Sequence, residues 1–212
     1  MLSVENAGRR VRDQWVWRGL DFRVTPGEAW AVSGPSGSGK TLLLRCLAAL
    51  DPLDEGRILF EGRDTETINV PAYRARVLYL HQQPAFFEGT VEENLRAVLA
   101  LAQHSGREFD QAWISGTLER LGKSPDFLQR PISALSGGEA QIVAFLRGLQ
   151  ISPTLLLLDE PTAALDPEAV GQIESLIEAW QAADPEHSLL WVSHDQGQLE
   201  RMTSRRLLLG DG

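Results

Sequence analysis

The stretch GPSGSGKT, residues 34–41, places three glycines between two apolar runs, AWAVS before it and LLLRCLAAL after it. It fits the pattern G-x-x-x-x-G-K-[ST], in which a glycine-rich loop lets several backbone N–H groups face one anion where a helix begins. A flexible glycine- and serine-rich linker is the alternative, but a linker does not follow a buried strand and open a helix. The sequence therefore predicts a phosphate-binding loop.

The residue types of this loop match that chemistry. Gly34, Gly37 and Gly39 can take backbone angles that other residues avoid. Lys40 is expected to reach the outer phosphates of a nucleotide, and the hydroxyl of Thr41 is expected to bind Mg²⁺. The other loop residues expected to line the phosphates are Pro35, Ser36 and Ser38.

A carboxylate for the metal follows a second apolar run, LLLLDEP, residues 155–161. An uninterrupted run of leucines is typical of a parallel strand buried on both faces. At its end, Asp159 is expected to hold Mg²⁺ directly or through water, and Glu160 to polarise a water at the γ-phosphate. An acidic strand end that merely faces solvent is the alternative.

These two motifs leave several classes of nucleotide-binding protein possible. A GTPase would also carry the guanine-binding motif N-K-x-D, which this chain lacks. The motifs do not exclude a small-molecule kinase.

Composition narrows the class of protein. The chain has 212 residues, 43% of them hydrophobic, which is enough for one domain with a core. Its net charge of −9 disfavours sequence-independent binding to nucleic acid, which needs a basic surface. No apolar run approaches the roughly 18 residues of a spanning helix. We therefore expect a cytosolic or peripheral chain that is soluble when isolated, and any membrane crossing would need another protein.

The order of predicted elements indicates an α/β fold. Strands alternate with helices along most of the chain, which predicts a mostly parallel sheet with flanking helices, as in P-loop NTPases. The N-terminal part is β-rich and is expected to form an antiparallel subdomain. A helical stretch that begins at Thr90, a predicted N-cap, interrupts the alternation. We expect one domain, in which residues 1–84 and 150–212 form a RecA-like core with its β part and residues 85–149 form a helical subdomain.

The stretch LSGGE, residues 135–139, decides between the open classes. Here the chain resembles the ATP-binding-cassette (ABC) ATPases over nearly its whole length, and a small-molecule kinase would leave this stretch unexplained. Glu139 stands where glutamine is commoner in the family. Six motifs occur in the family's order: GPSGSGKT as Walker A, Gln82 in LHQQPAFF as the Q-loop glutamine, LSGGE as the signature, LLLLDEP as Walker B, AALD with Asp166 as the D-loop, and His194 in WVSHD as the switch histidine.

The resemblance implies how the second anion site is used. Ser136, Gly137 and Gly138 open a helix, so they offer free N–H groups at a second helix N-terminus. One ATP cannot easily use both sites of one subunit. In the family, two subunits pair head to tail and hold ATP between the Walker A loop of one and the signature of the other. The expected partners are therefore a second copy of the chain and a separate transmembrane permease, with ATP and Mg²⁺ as ligands.

Two further catalytic residues follow from the resemblance. His194 comes after a strand, at the edge where α/β folds bind ligands, and is expected to contact the γ-phosphate. Gln82 is expected to touch Mg²⁺ or the attacking water, and the neighbouring Gln83 is its rival. The other histidines show no metal-ligand spacing and are expected at the surface: His81, His104 and His187.

The chain departs from the family at two places. The family usually stacks adenine on an aromatic residue some distance before the Walker lysine, and the aligned residues 10–12 are not aromatic. Trp15, Trp17 or an arginine are the candidates to replace it, and packing of both tryptophans in the β-rich part is the alternative. Ile142 stands where many members carry arginine.

The likeness also bears on cargo and partner. A lone cassette without a spanning segment is typical of a transporter assembled from separate chains, with the cassette on the cytoplasmic side of the inner membrane. Phe86 and Phe87 are candidates to meet the membrane subunit, with burial in the helical subdomain as the alternative. The chain resembles FetA/YbbL-type iron-export cassettes, and phosphate-import cassettes and non-transport ABC ATPases remain alternatives.

Overall fold

A computed structural model describes residues 1–210 of the chain. Its N-terminal part is an antiparallel sheet with the strand order β2-β1-β4-β5. The β1–β2 hairpin turns at Arg12 and Asp13, which both have positive φ. This sheet confirms the predicted antiparallel subdomain. Its strands are β1 (Leu2–Val11), β2 (Gln14–Val24), β4 (Glu55–Phe60) and β5 (Arg63–Asp64).

The second sheet is parallel throughout and has the order β6-β7-β8-β3-β9. It confirms the predicted α/β fold. The four leucines of β7 are fully buried and alternate between the two faces of this sheet. The strands are β3 (Ala29–Ser33), β6 (Val77–His81), β7 (Leu155–Asp159), β8 (Ser188–Val192) and β9 (Arg205–Leu208).

Seven α-helices occur in the described part of the chain. The sequence analysis did not identify α2, a short helix that Asn69 caps and that buries a single side chain, Tyr73. One buried residue in seven gives no apolar periodicity to detect. The helices are α1 (Lys40–Leu47), α2 (Val70–Arg76), α3 (Val91–Leu99), α4 (Gln111–Arg120), α5 (Gly137–Leu149), α6 (Pro167–Ala183) and α7 (Gln196–Met202).

The parallel sheet separates two hydrophobic cores. One core joins α1 and the antiparallel sheet to Leu155 and Leu157 of β7. The other joins α3, α4, α5 and α6 to Leu156 and Leu158. Because successive side chains of a strand point to opposite faces, the leucine run contributes to both cores. The helical stretch after β6 therefore shares its apolar packing with the parallel sheet.

Two histidines that we expected at the surface are buried. His104 is 3% exposed, and burial lowers its pKa. His187 is 9% exposed and stacks on Trp180, with ring centroids 4.2 Å apart. Its Nδ1 also lies 2.6 Å from the carbonyl oxygen of Trp180. The prediction was wrong because burial depends on tertiary packing, which metal-ligand spacing in the sequence does not report. His81 is exposed, as predicted.

Membrane spans were also sought in the structure. Within residues 1–210, no helix combines the length and hydropathy that crossing a membrane requires.

Candidate active site

The N-terminus of α1 has no side-chain cap. Its N-cap is Gly39, in the left-handed conformation with φ 83°, and its first turn contains no acidic residue. Without a cap, the first N–H groups of a helix remain free to bind an anion. Every other α-helix among residues 1–210 has an N-cap side chain that accepts a backbone N–H: Asn69, Thr90, Asp110, Ser136, Asp166 and Asp195.

Close contacts require glycine at two positions of this loop. A Cβ at Gly39 would lie 2.9 Å from Nε1 of Trp17, and one at Gly34 would lie 2.6 Å from Oγ of Ser38. Both glycines also have positive φ. Trp17 is only 5% exposed and packs beneath the loop. This burial agrees with the alternative that Trp17 packs within the β-rich part of the chain. It leaves no face of the indole ring free to stack on adenine.

Polar groups of the loop are suited to a phosphate ligand. Nζ of Lys40 donates to the carbonyl oxygens of Gly34 and Pro35, each at 2.9 Å, so the ammonium group lies across the loop. Oγ of Ser38 is buried and has no hydrogen-bond partner among the described residues. A buried hydroxyl without a partner is costly unless a ligand or water satisfies it. The loop therefore offers a cation, free amides and one unsatisfied hydroxyl.

The carboxylate of Asp159 lies beneath the start of α1 and is 4% exposed. Its Oδ1 accepts a hydrogen bond from the Thr41 hydroxyl at 3.0 Å, and its Oδ2 accepts one from the Tyr79 hydroxyl at 2.7 Å. Mg²⁺ prefers a few protein oxygens together with phosphate oxygens and water. The donor set of Thr41 and Asp159 fits that preference. The sequence analysis missed Tyr79, because the pattern VLYLH indicates only a strand.

Glu160 and His194 meet at the ends of two adjacent strands. Nε2 of His194 lies 2.9 Å from Oε1 of Glu160, and His194 is well exposed. Glu160 has φ 49°, an unusual angle for a non-glycine residue, and its N–H donates to the carbonyl of Val192 at 2.9 Å. Strained backbone of this kind persists only where the surrounding structure holds it, and often at functional sites.

A cleft of about 440 Å³ adjoins these groups, although Asp159 and Tyr79 are not among the described residues that line it. Its walls include the phosphate loop, Lys40, Thr41, Glu160 and His194. Gln82 and the signature residues 136–138 are not among the described residues that line it. Gln82 is half-buried just after β6, where His81 pairs in register with Asp159.

The signature helix α5 satisfies its own N-terminus. Oγ of Ser136 accepts the N–H of Glu139 at 3.2 Å, and the Glu139 carboxylate accepts the N–H of Ser136 at 2.9 Å. Arg130 donates to both carboxylate oxygens of Glu139, at 2.6 and 3.3 Å. Burial alone would raise the pKa of Glu139, but the bonds from Arg130 and Ser136 together lower it. Glu139 is therefore a charged capping residue, and both of its carboxylate oxygens accept hydrogen bonds.

The neighbouring signature and D-loop residues lie near one another. Ser136 and Gly137 are exposed, whereas Gly138 is buried, and a Cβ there would come within 2.6 Å of Cβ of Ala169. Asp166 caps α6, since its Oδ1 accepts the N–H of the same Ala169 at 2.9 Å. The close approach of α5 and α6 explains why glycine stands at position 138.

A second pocket of about 550 Å³ adjoins the loop. Val11, Arg12, Gln14 and Trp15 line it together with residues 36–38. Val11 is 48% exposed and also lines the first cleft. The guanidinium groups of Arg10 and Arg18 lie 4.8 and 4.7 Å from the centroid of the half-buried Trp15 ring. This pocket therefore lies directly beside the phosphate loop.

The two phenylalanines after β6 differ in exposure. Phe86 is half-buried against the helical core, with the guanidinium of Arg147 at 4.8 Å from its ring centroid. Phe87 is 69% exposed. Of the two candidates for contact with a membrane subunit, only Phe87 therefore presents most of its ring at the surface.

Ile142 is fully buried in the core beneath the signature. An arginine at this place would bring a charge into apolar surroundings and would need a partner there. Isoleucine instead adds to the packing of α5.

Comparisons with known proteins agree with the geometry. A family model described as "ABC transporter" matches residues 17–163. The Escherichia coli K12 protein described as "Probable iron export ATP-binding protein FetA" is 35% identical over 199 residues, which cover 94% of this chain and 87% of that protein. The "Phosphate import ATP-binding protein PstB 2" of Natronomonas pharaonis is 37% identical over 210 residues, 93% of this chain and 72% of that protein.

Solved structures show the same fold. A bacterial Atm1-family ABC exporter with ATP bound superposes with a TM-score of 0.83 at 26% identity, covering 100% of this chain and 37% of the exporter. The structure of cbiO1 from Clostridium perfringens, part of the ABC transporter complex cbiONQ, also has a TM-score of 0.83. It shares 23% identity and covers 100% of this chain and 85% of cbiO1.

Proposed function

This chain belongs to the ABC transporter family as an ATP-binding subunit, and we propose that it hydrolyses ATP with Glu160 as the general base. The family's ATP-binding subunits are ATPases coupled to transport. The observation that supports this assignment is the Glu160–His194 contact, 2.9 Å long, on the wall of the cleft that Lys40 and the uncapped start of α1 also line.

In the proposed complex, the triphosphate lies against the N–H groups at the uncapped start of α1, with Lys40 at the outer phosphates. Thr41 and Asp159, whose oxygens lie 3.0 Å apart, would hold Mg²⁺. When bound, the metal would neutralise charge on the phosphates. The nucleoside extends into the pocket of Val11, Arg12 and Trp15, which puts adenine beside aliphatic, cationic and aromatic side chains.

Hydrolysis needs a base, because water is a weak nucleophile. Glu160 accepts a proton from the attacking water, and the oxygen of that water attacks the γ-phosphorus. The bond between that phosphorus and the β,γ-bridging oxygen breaks, which leaves ADP and phosphate. His194 donates a hydrogen bond that orients Glu160 or, turned toward the nucleotide, one that stabilises charge on the γ-phosphate.

A second copy completes the site in this proposal. The cleft contains no signature residue among those that the structure describes, and Ser136 and Gly137 are exposed. We place them against the γ-phosphate held by the partner copy, with Asp166 at the same junction. Gln82, just after β6, is proposed to reach the metal or the attacking water once nucleotide is bound.

We also propose that residues 85–149 form a helical subdomain that receives a membrane permease through Phe87, placing the cassette at the cytoplasmic face of the membrane. For cargo, we propose iron export, because the FetA-type relative matches over 94% of this chain. Phosphate import is the alternative, favoured by the phosphate-import relative. The identity of the co-purifying membrane subunit distinguishes these two cargoes, and a permease of a phosphate-import system would overturn the proposal of iron export.

The test is Glu160→Gln. The amide keeps the shape and the contact with His194 but cannot accept the proton, so we expect ATP binding to persist while kcat falls about 100-fold or more. ATP should also trap a dimer, seen by size-exclusion chromatography. Glu168→Gln, at the exposed first turn of α6, is the matched control and should leave kcat unchanged. Normal hydrolysis by Glu160→Gln would rule Glu160 out as the base.

A further inference from the structure

We propose that Tyr79 is a positioning residue for the metal-binding carboxylate: its hydroxyl holds one oxygen of Asp159, so that the other faces Thr41 and the incoming Mg²⁺. This inference rests on the proposed function and extends it to a residue outside the six motifs. Tyr79 Oη donates to Oδ2 of Asp159 at 2.7 Å, while Thr41 donates to Oδ1 at 3.0 Å.

The strand register explains why Tyr79 reaches this carboxylate. On the adjacent parallel strands β6 and β7, Tyr79 pairs with Leu157, and His81 pairs with Asp159. Residues two apart on a strand point to the same face, so Tyr79 and Asp159 share one face on neighbouring strands. A long aromatic side chain can span such a diagonal. The position of the phenol is therefore set by the sheet and not by the phosphate loop.

The two hydroxyl groups differ in what they can do when a metal arrives. Thr41 is exposed at the start of α1 and can offer its lone pairs to Mg²⁺. Tyr79 is half-buried, and its Oη already donates to Oδ2 of Asp159 at 2.7 Å. A phenol is an O–H donor at neutral pH, since its ordinary pKa is about 10. This bond would hold Oδ2 in place and leave Oδ1 available to the metal or its water.

A carboxylate held in this way loses less rotational freedom when the metal binds. Groups that orient a metal ligand by hydrogen bonding typically contribute 10- to 100-fold to metal affinity. Asp159 is also nearly inaccessible to solvent, so water does not readily replace a lost donor. We therefore expect the contribution of Tyr79 to appear in Mg²⁺ affinity, ahead of any effect on nucleotide binding itself.

The experiment is a Mg²⁺ titration of Tyr79→Phe with a fluorescent ADP analogue, which reports binding without hydrolysis. We expect the half-saturating Mg²⁺ concentration to rise about 10-fold, while analogue affinity in EDTA stays at the wild-type value. Tyr73→Phe is the matched control, because Tyr73 is the only other tyrosine and its hydroxyl donates to the carbonyl of Leu47. It should keep the wild-type Mg²⁺ dependence.

Three results would overturn the proposal. The first is an unchanged Mg²⁺ dependence in Tyr79→Phe. The second is an equal shift in Tyr79→Phe and Tyr73→Phe, which would indicate a packing effect of losing any buried phenol. The third is wild-type protein whose analogue binding ignores Mg²⁺, and this result alone would also remove the proposed metal site. Circular dichroism melting of each variant without nucleotide verifies that it is folded.

Discussion

The helices α1 and α5 begin in opposite ways. The start of α1 has a left-handed glycine as its N-cap, no side-chain cap and no acidic residue in its first turn. The start of α5 has a complete capping box, in which Ser136 and Glu139 satisfy one another's backbone N–H groups. Arg130 then neutralises Glu139 from outside the helix. The same structural feature, a helix N-terminus, is left open in one case and closed in the other.

This difference teaches what each helix contributes to an anion site. A glycine in place of a capping Ser, Thr, Asn or Asp costs a helix only about a few tenths of a kcal/mol, so the Gly39 start of α1 keeps its amides for a ligand at a small expense of stability. The start of α5 is stable without a ligand, and the charge of Glu139 offsets part of its helix dipole. We therefore expect α1 to bind nucleotide by itself, and Ser136 and Gly137 to add contacts only within a dimer.

Among the substitutions that test the difference between α1 and α5, Lys40→Ala is expected to have the largest effect. It removes the cation that works with the open start of α1, and hydrogen bonds from charged groups contribute about 1.5–3 kcal/mol each. ATP affinity, measured by isothermal titration calorimetry, should fall about 100-fold. Lys123→Ala is the control, because Lys123 is the only other lysine and lies just after α4. Unchanged ATP affinity in Lys40→Ala would contradict the phosphate-loop assignment.

A smaller effect, confined to the ATP-dependent dimer, is expected from Ser136→Arg. The bulky cation blocks the exposed start of α5, so the ATP-dependent dimer should weaken about 10-fold or more, while one copy still binds ATP through α1. Analytical ultracentrifugation in the Glu160→Gln background measures the dimer. Ser133→Arg makes the same change on a neighbouring exposed turn and should leave the dimer intact. Persistent ATP-driven dimers in Ser136→Arg would exclude the head-to-tail arrangement.

The smallest effect is expected from Glu139→Gln, which keeps a capping side chain but loses the ion pair with Arg130. Because the pKa of Glu139 is lowered in the folded state, its stabilisation is present above the usual glutamate pKa and lost as pH falls through the lower folded value. Glu139→Gln should therefore be about 0.5 kcal/mol less stable than wild type at pH 7. Urea unfolding measures this gap, which should shrink on acidification, and a gap independent of pH would contradict the argument.

Local patterns predicted much of this molecule. The glycine loop, the start of α1, the leucine run of β7 and the capping of α3 by Thr90 all depend on residues within a few positions of each other. Such features depend on backbone angles, helix capping and side-chain periodicity, which a single sequence displays. The α/β architecture followed from their order, since alternating strands and helices bury their apolar faces in few ways.

Burial of individual side chains was harder to predict. The sequence did not separate Phe86 from Phe87, although the first is half-buried and the second is 69% exposed. It also misplaced His104 and His187, which are 3% and 9% exposed. Exposure is a property of the whole packed molecule, so neighbours in sequence share residue type without sharing surroundings.

The sequence by itself determined which residues can bind a phosphate, hold a metal and accept a proton, because those abilities belong to the residue types and their local spacing. Only the tertiary structure decided how they meet. Asp159 receives a hydrogen bond from Thr41, 118 positions away, and another from Tyr79, 80 positions away. The physical reason is that sheet register and core packing bring these hydroxyl groups together, and neither can be read from a local pattern.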